Sequence, residues 1–411
     1  MDASPARILI LASAHTYRLG PFLAAAQKLG VEVVRGLDVP PAHAVTKEDR
    51  LGLDFRDLER SAQQAQAYAL KHRLRAVVPT DDATVVLAAH LSEALDLPHN
   101  TIEAAEAARD KHRMRELFAR ADVPSPWFKL FSISDDPAQI AARLQFPCVL
   151  KPTCLSGSRG VIRADHRNEF AAAFARVKAM LVRAGLTEIL VEGYLPGVEV
   201  ALEGILRHGH LKGLALFDKP DPLEGPFFEE TIYVTPSRLP AETQQAIFAC
   251  AAQAAQALGL RQGPVHAELR LNADGPWMLE IAGRSIGGLC SKTLRFGTDL
   301  SLEELILRHA LGMEIESLQR EGCAGGVMMI PIPGAGLLRG VSGLEAARAV
   351  PGIESIEITA QINYLLTPLP EGENYLGFIF ARGEMPEAVE AALRQAHRLL
   401  KFEIAPALPV V

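Results

Sequence analysis

The chain contains 411 residues, of which 22% are charged and 49% are hydrophobic, and it exceeds the ~250–300 residues at which a single core stops growing, so we expect two or three domains. A net charge of −7 without a basic block argues against a nucleic-acid partner, because phosphate-binding surfaces normally show clustered Lys and Arg. There is no apolar run of about 18 residues, and residues 1–5 lack the basic segment and apolar core of a signal peptide, so we expect no membrane span and a cytoplasmic location.

The N-terminal region predicts an alternation of strands and helices. A helix that opens at Gly20-Pro21 and ends near Gly30 lies between the first two of three apolar strands. The predicted strands cover residues 7–13, 31–34 and 76–79. Thr80-Asp81-Asp82 follows the third strand, at the end where open α/β sheets bind ligands. The pattern predicts an α/β protein with a Rossmann-like N-terminal domain over residues 1–105.

The remainder of the chain predicts α+β structure. A helix over residues 104–121 carries Lys111 and is broken by Val123-Pro124-Ser125-Pro126. Three strands joined by glycine turns and two helices follow, over residues 188–194, 198–206, 211–217, 241–258 and 302–311. Short strands and a helix over 386–400 close the chain. We predict a module of two α+β subdomains over residues 106–312 and a small C-terminal α+β domain over residues 313–411.

Two glutamates on one predicted hairpin indicate a metal site. Residues 272–276, Asn-Ala-Asp-Gly-Pro, are a turn sequence, and a simple register that pairs Leu271 with Trp277 places Glu268 opposite Glu280. Carboxylates on Cβ atoms roughly 4.5–5.5 Å apart destabilise a sheet unless a cation bridges them or one is protonated. Mg²⁺ suits such a site because it takes one or two carboxylates together with water and phosphate oxygens. The alternative is a solvated strand face that Arg270 neutralises.

A loop of small residues after a lysine indicates a phosphate cradle. Residues 156–160, Ser-Gly-Ser-Arg-Gly, follow a strand that ends at Lys151-Pro152. Small residues let backbone N–H groups approach phosphate oxygens, and Lys151 adds a positive charge. The loop matches neither the P-loop nor the dinucleotide fingerprint, so a plain turn is the alternative. Further on, the strand that contains Glu192 could bind an adenine edge and Glu199 could bind ribose, or both could be solvated acids of an edge strand.

The order and spacing of these elements resemble the ATP-grasp superfamily. The matching elements are Asp110-Lys111, Leu150-Lys151-Pro152, the loop over 156–160, Val191-Glu192-Gly193-Tyr194 with Glu199, His266-Ala267-Glu268 and Leu279-Glu280-Ile281-Ala282-Gly283-Arg284. The resemblance implies that the cofactors are ATP and Mg²⁺, with Mn²⁺ as an alternative metal, and that Glu268 and Glu280 carry the metal. It implies that Lys111 and Lys151 contact the α- and β-phosphates.

The resemblance also assigns the rest of the nucleotide site. The loop residues that would close over the γ-phosphate are Ser156, Gly157, Ser158 and Gly160. Glu192 and the backbone of Tyr194 and Leu195 would hold adenine, and Glu199 would hold ribose. Arg284 would meet the transferred phosphoryl group and the acyl phosphate.

Two departures from the family pattern concern the metal strand and the substrate pocket. Ala282 stands where many members carry a metal-binding asparagine, a change that resembles the branch of the L-amino-acid ligases. His266 faces Ala282 in the same register, so we expect a substrate or orienting role for His266, with a satisfied sheet histidine as the alternative. The segment over residues 227–233 resembles a strand of that branch, which makes Glu230 a candidate catalytic residue, although Tyr233 replaces the usual histidine. For Lys219, we expect a solvated loop position, with an ion pair to a substrate carboxylate as the alternative.

The resemblance implies an ADP-forming carboxylate–amine ligase that joins L-amino acids into a dipeptide or amide. ATP would activate the carboxylate as an acyl phosphate, Arg284 would stabilise that transfer, and Glu230 or His266 would accept the amine proton. The segment after Arg284 favours the domain order of the L-amino-acid ligases and biotin carboxylase. We expect small-molecule carboxylate and amine substrates and a homodimer. The alternatives are an ATP-grasp carboxylase or purine-biosynthesis enzyme, and an inactive nucleotide-binding protein.

Overall fold

The structure, a computed structural model, describes residues 5–13, 16–39, 47–297, 299–372 and 374–406. The expectation that residues 1–5 are not the start of a signal peptide falls largely on residues 1–4, which lie outside the described residues. No helix within the described ranges is long and apolar enough to cross a membrane.

The N-terminal part is a parallel sheet with helices on both faces. Its elements are β1 (Arg7–Ala12), α1 (Leu19–Lys28), β2 (Glu32–Asp38), β3 (Arg50–Leu53), α2 (Leu58–Ala69), β4 (Ala76–Pro79), α3 (Asp82–Ala94) and α4 (Ile102–Arg109). The strand order is β3-β2-β1-β4, and all pairs are parallel. In β1, Ile8 and Ile10 pack towards α1 while Leu9 and Leu11 pack towards α2 and α3. Burial on both faces explains the uninterrupted apolar run of β1 and confirms the predicted Rossmann-like arrangement.

The next segment forms a small antiparallel sheet under one long helix. Its elements are α5 (Lys111–Arg120), β5 (Phe128–Ser132), α6 (Pro137–Ala141), β6 (Cys148–Pro152), β7 (Ile162–Ala164), α7 (Arg167–Ala184) and β8 (Glu188–Gly193). The strand order is β5-β8-β6-β7. Phe170, Phe174 and Val177 of α7 pack against this sheet.

An eight-stranded sheet continues from the middle of the chain into its C-terminal part. The middle elements are β9 (Val198–Arg207), β10 (His210–Lys219), β11 (Ile232–Thr235), α8 (Ala241–Ala257), β12 (Gly263–Asn272), β13 (Gly275–Ala282), β14 (Arg295–Phe296), β15 (Leu300–Ser301) and α9 (Leu302–Ala310). The C-terminal elements are β16 (Ala324–Ile330), β17 (Gly336–Ser342), α10 (Leu344–Arg348), β18 (Ile353–Ile358), β19 (Leu365–Leu366), β20 (Gly377–Gly383), α11 (Pro386–Leu399) and β21 (Lys401–Ala405). The large sheet has the order β13-β12-β9-β10-β11-β16-β20-β18.

One hydrophobic core joins the N-terminal sheet to the middle and C-terminal strands of the large sheet. Ile8 and Phe22 of the N-terminal sheet pack in the same cluster as Ala201 and Phe217 of the large sheet and Phe378 of β20. The predicted α/β class is therefore confirmed. The predicted boundary after residue 312 lies between β11 and β16, which pair in one sheet, so that sheet continues across the boundary. The domain boundaries remain predictions.

The helix predicted over residues 104–121 is two helices. Asp110 is extended (φ −93°, ψ 111°), ends α4 and caps α5, because its carboxylate accepts hydrogen bonds from the N–H groups of His112 and Arg113 at 2.8 and 2.9 Å. Aspartate competes for backbone N–H groups and therefore favours a cap over a helix interior. Lys111 therefore lies in the first turn of α5 and not in a helix interior. Its N–H donates to the Thr153 carbonyl at 2.9 Å.

The glutamate hairpin has the predicted pairing but reaches it through a β-bulge. Glu268 lies opposite Glu280, while Leu271 pairs with Pro276 and not with Trp277. Leu279 has no partner on β12, because Leu269 pairs with Met278. This extra residue in β13 brings Glu280 opposite Glu268. A bulge of this kind redirects side chains and is common beside active sites.

Candidate functional site

A cleft of about 370 Å³ gathers most of the predicted site residues. This volume lies within the roughly 300–1,000 Å³ of small-molecule sites. The predicted residues that line it are Lys111, Lys151, Ser156, Gly157, Ser158, Glu192, Tyr194, Leu195, Glu199, Glu230, His266, Glu268, Glu280 and Arg284. Gly160 is the exception: it is buried, and its N–H donates to the Pro370 carbonyl at 2.8 Å. Its amide is therefore committed to the C-terminal part of the chain and not turned towards a phosphate.

Lys111 lies where a helix N-terminus meets a carboxylate. Its Nζ donates to the Leu155 carbonyl at 2.9 Å and lies 3.2 Å from Glu280 Oε2. A cation is unfavourable beside the positive end of the α5 dipole, so Glu280 compensates for a charge that the helix alone would repel. The helix N-terminus and the lysine together make a favourable place for an anion.

Lys151 is held by a buried ion-pair network. Glu192, whose side chain is 2% exposed, lies 2.7 Å from Arg115 Nε and 2.5 Å from Lys151 Nζ. Burial alone would raise the pKa of Glu192, but Arg115 and Lys151 outweigh it and lower that pKa. Glu192 therefore orients Lys151 at the edge of the cleft, and its contact with adenine remains a prediction.

The glycine loop presents a left-handed turn to the cleft. Gly157 has φ 66° and Ser158 has φ 55°, a backbone conformation that a serine seldom adopts. The Arg159 N–H closes this turn by donating to the Ser156 carbonyl at 3.4 Å, and Gly157 and Ser158 line the cleft. The loop follows β6 directly and therefore lies beside Lys151.

The prediction that Lys219 is a solvated loop residue is wrong. Lys219 is the last residue of β10, with a side chain that is 2% exposed. Its ammonium forms ion pairs with Glu199 at 2.7 Å, with Glu268 at 3.1 Å and with Glu230. The sequence concealed this role because the Pro/Gly-rich stretch after Lys219 predicted a loop, whereas the pairing of β9 with β10 places Lys219 beside Glu199.

The lysine sets the charge of the surrounding carboxylates. Burial alone would raise the pKa of Glu268, but Lys219 and His266 hold that pKa well below its usual range. Burial and the nearby Glu268 raise the pKa of Glu230 to about 7, against the effect of Lys219. Glu199 accepts from Lys219 through one oxygen and from Arg270 Nε at 3.2 Å through the other. Arg270 is thus buried against Glu199 and does not neutralise the metal hairpin.

His266 connects two carboxylates. Its Nδ1 lies 3.2 Å from Glu203, and its Nε2 lies 3.6 Å from Glu268. Glu203 is fully buried and also accepts from the Ile286 N–H at 3.0 Å. Burial lowers the pKa of His266, but the two glutamates outweigh burial and raise it. His266 faces Ala282 as predicted and is placed to orient Glu268.

Arg284 has a partner that the sequence analysis did not assign. Its Nε and Nη2 donate to the two carboxylate oxygens of Asp82 at 2.9 and 2.7 Å. Asp82 opens α3 after β4, so the polar segment at the carboxyl end of that strand does reach the cleft. Arg18, also unassigned, is buried and donates to the Ser285 and Ile286 carbonyls beside Arg284. The N-terminal domain therefore helps to position the Arg284 segment.

The carboxylate cluster has the chemistry of a magnesium site. Oxygens of Glu199, Glu230 and Glu268 lie within 4.8 Å of one another, and Glu280 lies opposite Glu268. Mg²⁺ and Mn²⁺ prefer such oxygen donors. The ammonium of Lys219 lies among the three glutamates and offsets their charge. The oxygen donors present suit Mg²⁺, and its assignment to Glu268 and Glu280 remains a prediction.

Comparisons with known proteins agree with this geometry. The ATP-grasp domain model matches residues 144–293, and the model of L-amino acid ligase C-terminal domain 2 matches residues 328–405. The alanine–anticapsin ligase of Bacillus subtilis is 28% identical over 252 residues, which cover 56% of this chain and 53% of that protein. The dapdiamide A synthase of Enterobacter agglomerans is 28% identical over 253 residues, which cover 60% and 58%. The chain spans a little over half the length of these relatives.

Solved structures extend the similarity over nearly the whole chain. The crystal structure of L-amino acid ligase from Bacillus licheniformis has a TM-score of 0.83 and 26% identity, covering 97% of this chain and 99% of that one. Phosphoribosylglycinamide synthetase from Anaerococcus prevotii has a TM-score of 0.69 and 16% identity, covering 98% and 100%, and shares the fold. The chain therefore contains an ATP-grasp domain over residues 144–293 and an L-amino acid ligase C-terminal domain over residues 328–405.

Proposed function

We propose that this protein is an ATP-dependent, ADP-forming ligase that joins the carboxylate of one small amino acid to the amine of another. One observation carries the proposal: Lys111, Lys151, Glu268, Glu280 and Arg284 converge on a single cleft in a chain that carries the L-amino acid ligase C-terminal domain. The relatives named alanine–anticapsin ligase and dapdiamide A synthase support the same substrate class.

Activation of the carboxylate explains the positive groups of the cleft. An amine does not displace oxide from a carboxylate at neutral pH, so the γ-phosphoryl group of ATP is first transferred to a carboxylate oxygen, and phosphate then leaves. Lys111 and Lys151 would hold the nucleotide phosphates, and Arg284 would hold the transferred group and the tetrahedral intermediate. Bound Mg²⁺, carried by Glu268 and Glu280, would neutralise phosphate charge as the transfer proceeds.

Side chains around the carboxylate cluster suit the second step, in which the amine attacks the acyl phosphate. The amine must attack as the free base, and Glu230 or His266 can accept its proton because both line the cleft. Lys219, next to Glu230, would fix the position of that carboxylate. The glycine loop would exclude water from the acyl phosphate, which otherwise hydrolyses.

The proposal also covers the domain division, the oligomeric state and the cellular location. The chain would divide into domains over residues 1–105, 106–312 and 313–411, with the last completing the substrate site. Tyr375 and Asn374 of the last segment line the cleft and support that role. A homodimer and a cytoplasmic location complete the proposal, and sedimentation and cell fractionation test them.

A substrate screen tests the function. ADP release is measured with ATP and Mg²⁺ for all amino acids, singly and in pairs, and products are identified by mass. We expect release that requires two amino acids and a product whose mass equals their sum minus water. Release that depends on bicarbonate or on a purine precursor would favour the carboxylase or purine-biosynthesis alternative. Nucleotide binding without ADP release under any condition would favour an inactive binding protein.

A further inference from the structure

A second cavity lies behind the wall that carries Asp82 and Arg284. Its volume is about 1270 Å³, and it lies between β4 and α3 of the N-terminal sheet and the strands β9, β10 and β12. Pro79, Val85 and Gly283 line this cavity, whereas Asp82 and Arg284 line the catalytic cleft. The two cavities therefore share a wall, and an occupant of the second cavity would contact both domains.

The interior of the second cavity is apolar. Aliphatic side chains from both domains form it, including Val77, Val78, Ala88, Ile205, Ile306 and Leu311. An apolar surface of this kind, at an interface between domains, is typical of small-molecule sites. The occupant should therefore have an apolar body.

The rim of the same cavity is cationic. Arginine, lysine and histidine side chains form it: Arg75, Arg207, His208, His210, Lys212 and His309. Among the described lining residues, Glu314 is the one acid. Arg75, Arg207 and Lys212 form no ion pair with any acid in the described part of the chain. In a protein with a net charge of −7, this local excess of positive groups is a specific feature of the cavity.

His309, which lines the cavity, can donate a hydrogen bond. The Gly263 N–H donates to His309 Nε2 at 3.3 Å, so the neutral ring carries its proton on Nδ1. Burial, followed by the charges of Arg207 and His208, lowers the pKa of His309. Arg207 and His309 both line the cavity, so a carboxylate at the rim could meet a cation and a hydrogen-bond donor.

We propose that this cavity binds an amphipathic organic anion, a carboxylate with an apolar chain. The chain would pack between the domains against the aliphatic interior, and the carboxylate would meet Arg207 and His309 at the rim. An apolar interior with charge at the rim favours this ligand over a polar anion, which would gain nothing from the aliphatic surface. The site is separate from the catalytic cleft, and its existence does not depend on the ligase reaction.

Calorimetry with sodium octanoate on the full chain tests the proposal. Titrations are run with and without a saturating non-hydrolysable ATP analogue and Mg²⁺, which fill the nucleotide part of the catalytic cleft. We expect saturable binding that Arg207→Glu weakens roughly tenfold or more through charge reversal at the rim. Arg207 is exposed, so this variant should fold. Lys178→Glu, which makes the same change at an exposed lysine outside the cavity, should bind octanoate like the unaltered protein.

Four outcomes would contradict the proposal. Octanoate could fail to bind, could bind equally to Arg207→Glu, or could bind only when the ATP analogue is absent, which would place it in the catalytic cleft. Acetate that binds as tightly as octanoate would show that the apolar interior is not used. If octanoate does not bind and Arg207→Glu converts a dimer to a monomer in sedimentation, the cavity is instead an interface between copies of this chain.

Discussion

Arg284 is the residue on which turnover should depend most. Its guanidinium donates through two nitrogens to both oxygens of Asp82, which fixes the orientation of the guanidinium plane at the cleft. Arg284→Lys keeps the charge but loses the planar fork of donors. We expect kcat to fall by roughly 10²-fold or more, as for the removal of an oxyanion donor, with a far smaller change in ATP affinity. Steady-state kinetics and nucleotide titration measure the two effects, and an unchanged kcat at saturating ATP and Mg²⁺ would exclude the assigned role.

Lys219 should stabilise the fold as well as the site. Lys219→Met leaves Glu199, Glu230 and Glu268 without their shared cation, and breaking a buried ion pair in this way costs about 3–5 kcal/mol. Mg²⁺ should restore part of the lost stability, because it binds the folded cluster. Denaturant unfolding with and without Mg²⁺ measures both effects. Lys178→Met, at an exposed lysine, is the matched control, and equal stability of the two variants would show that Lys219 does not hold the cluster.

The start of α5 depends on one capping residue. Asp110 accepts two backbone hydrogen bonds there and fixes Lys111 in the first turn. Asp110→Ala should lower the free energy of unfolding by about 1 kcal/mol and raise the KM for ATP, because the lysine loses its fixed position. Asp110→Asn is the control, since asparagine caps helices equally well. If the alanine variant binds ATP normally while losing stability, Lys111 does not depend on the cap.

The β12–β13 hairpin should carry the metal dependence. The Glu268 and Glu280 side chains are 24% and 26% exposed, so replacement of either by Gln removes charge without creating a cavity. We expect each variant to fold and to lose nearly all Mg²⁺-dependent ADP formation. Asp274→Asn, at the exposed hairpin tip, should retain activity. Full activity of Glu268→Gln or Glu280→Gln at low Mg²⁺ would refute the metal assignment.

Elements with local signals could be predicted from the sequence, and pairings between distant residues could not. The apolar run of β1 and the turn at residues 272–276 gave the correct elements, because burial and turn chemistry act over a few residues. The bulge at Leu279 and the role of Lys219 depend on neighbouring strands. The cap at Asp110 was not predicted, although the residue type favours it, since aspartate seldom lies in a helix interior.

At the scale of the whole molecule, the N-terminal domain completes a site that the ATP-grasp elements begin. Asp82 and Arg284 are 202 residues apart, and Arg18 and Ser285 are 267 apart, so no local pattern could have paired them. The core that joins Ile8, Phe217 and Phe378 holds these parts in one arrangement. Arg284, the proposed catalytic arginine, therefore depends on contacts made across the fold.

Transfer of oxygen from substrate to phosphate tests the central claim, carboxylate activation by ATP, most directly. The amino acids found in the screen are supplied in turn with ¹⁸O in the carboxylate, and the released phosphate is examined by mass spectrometry. If an acyl phosphate forms, the carboxyl donor passes one ¹⁸O to each phosphate, and the amine donor passes none. Phosphate that is free of ¹⁸O while the product forms, or the release of AMP and pyrophosphate in place of ADP, would contradict the account.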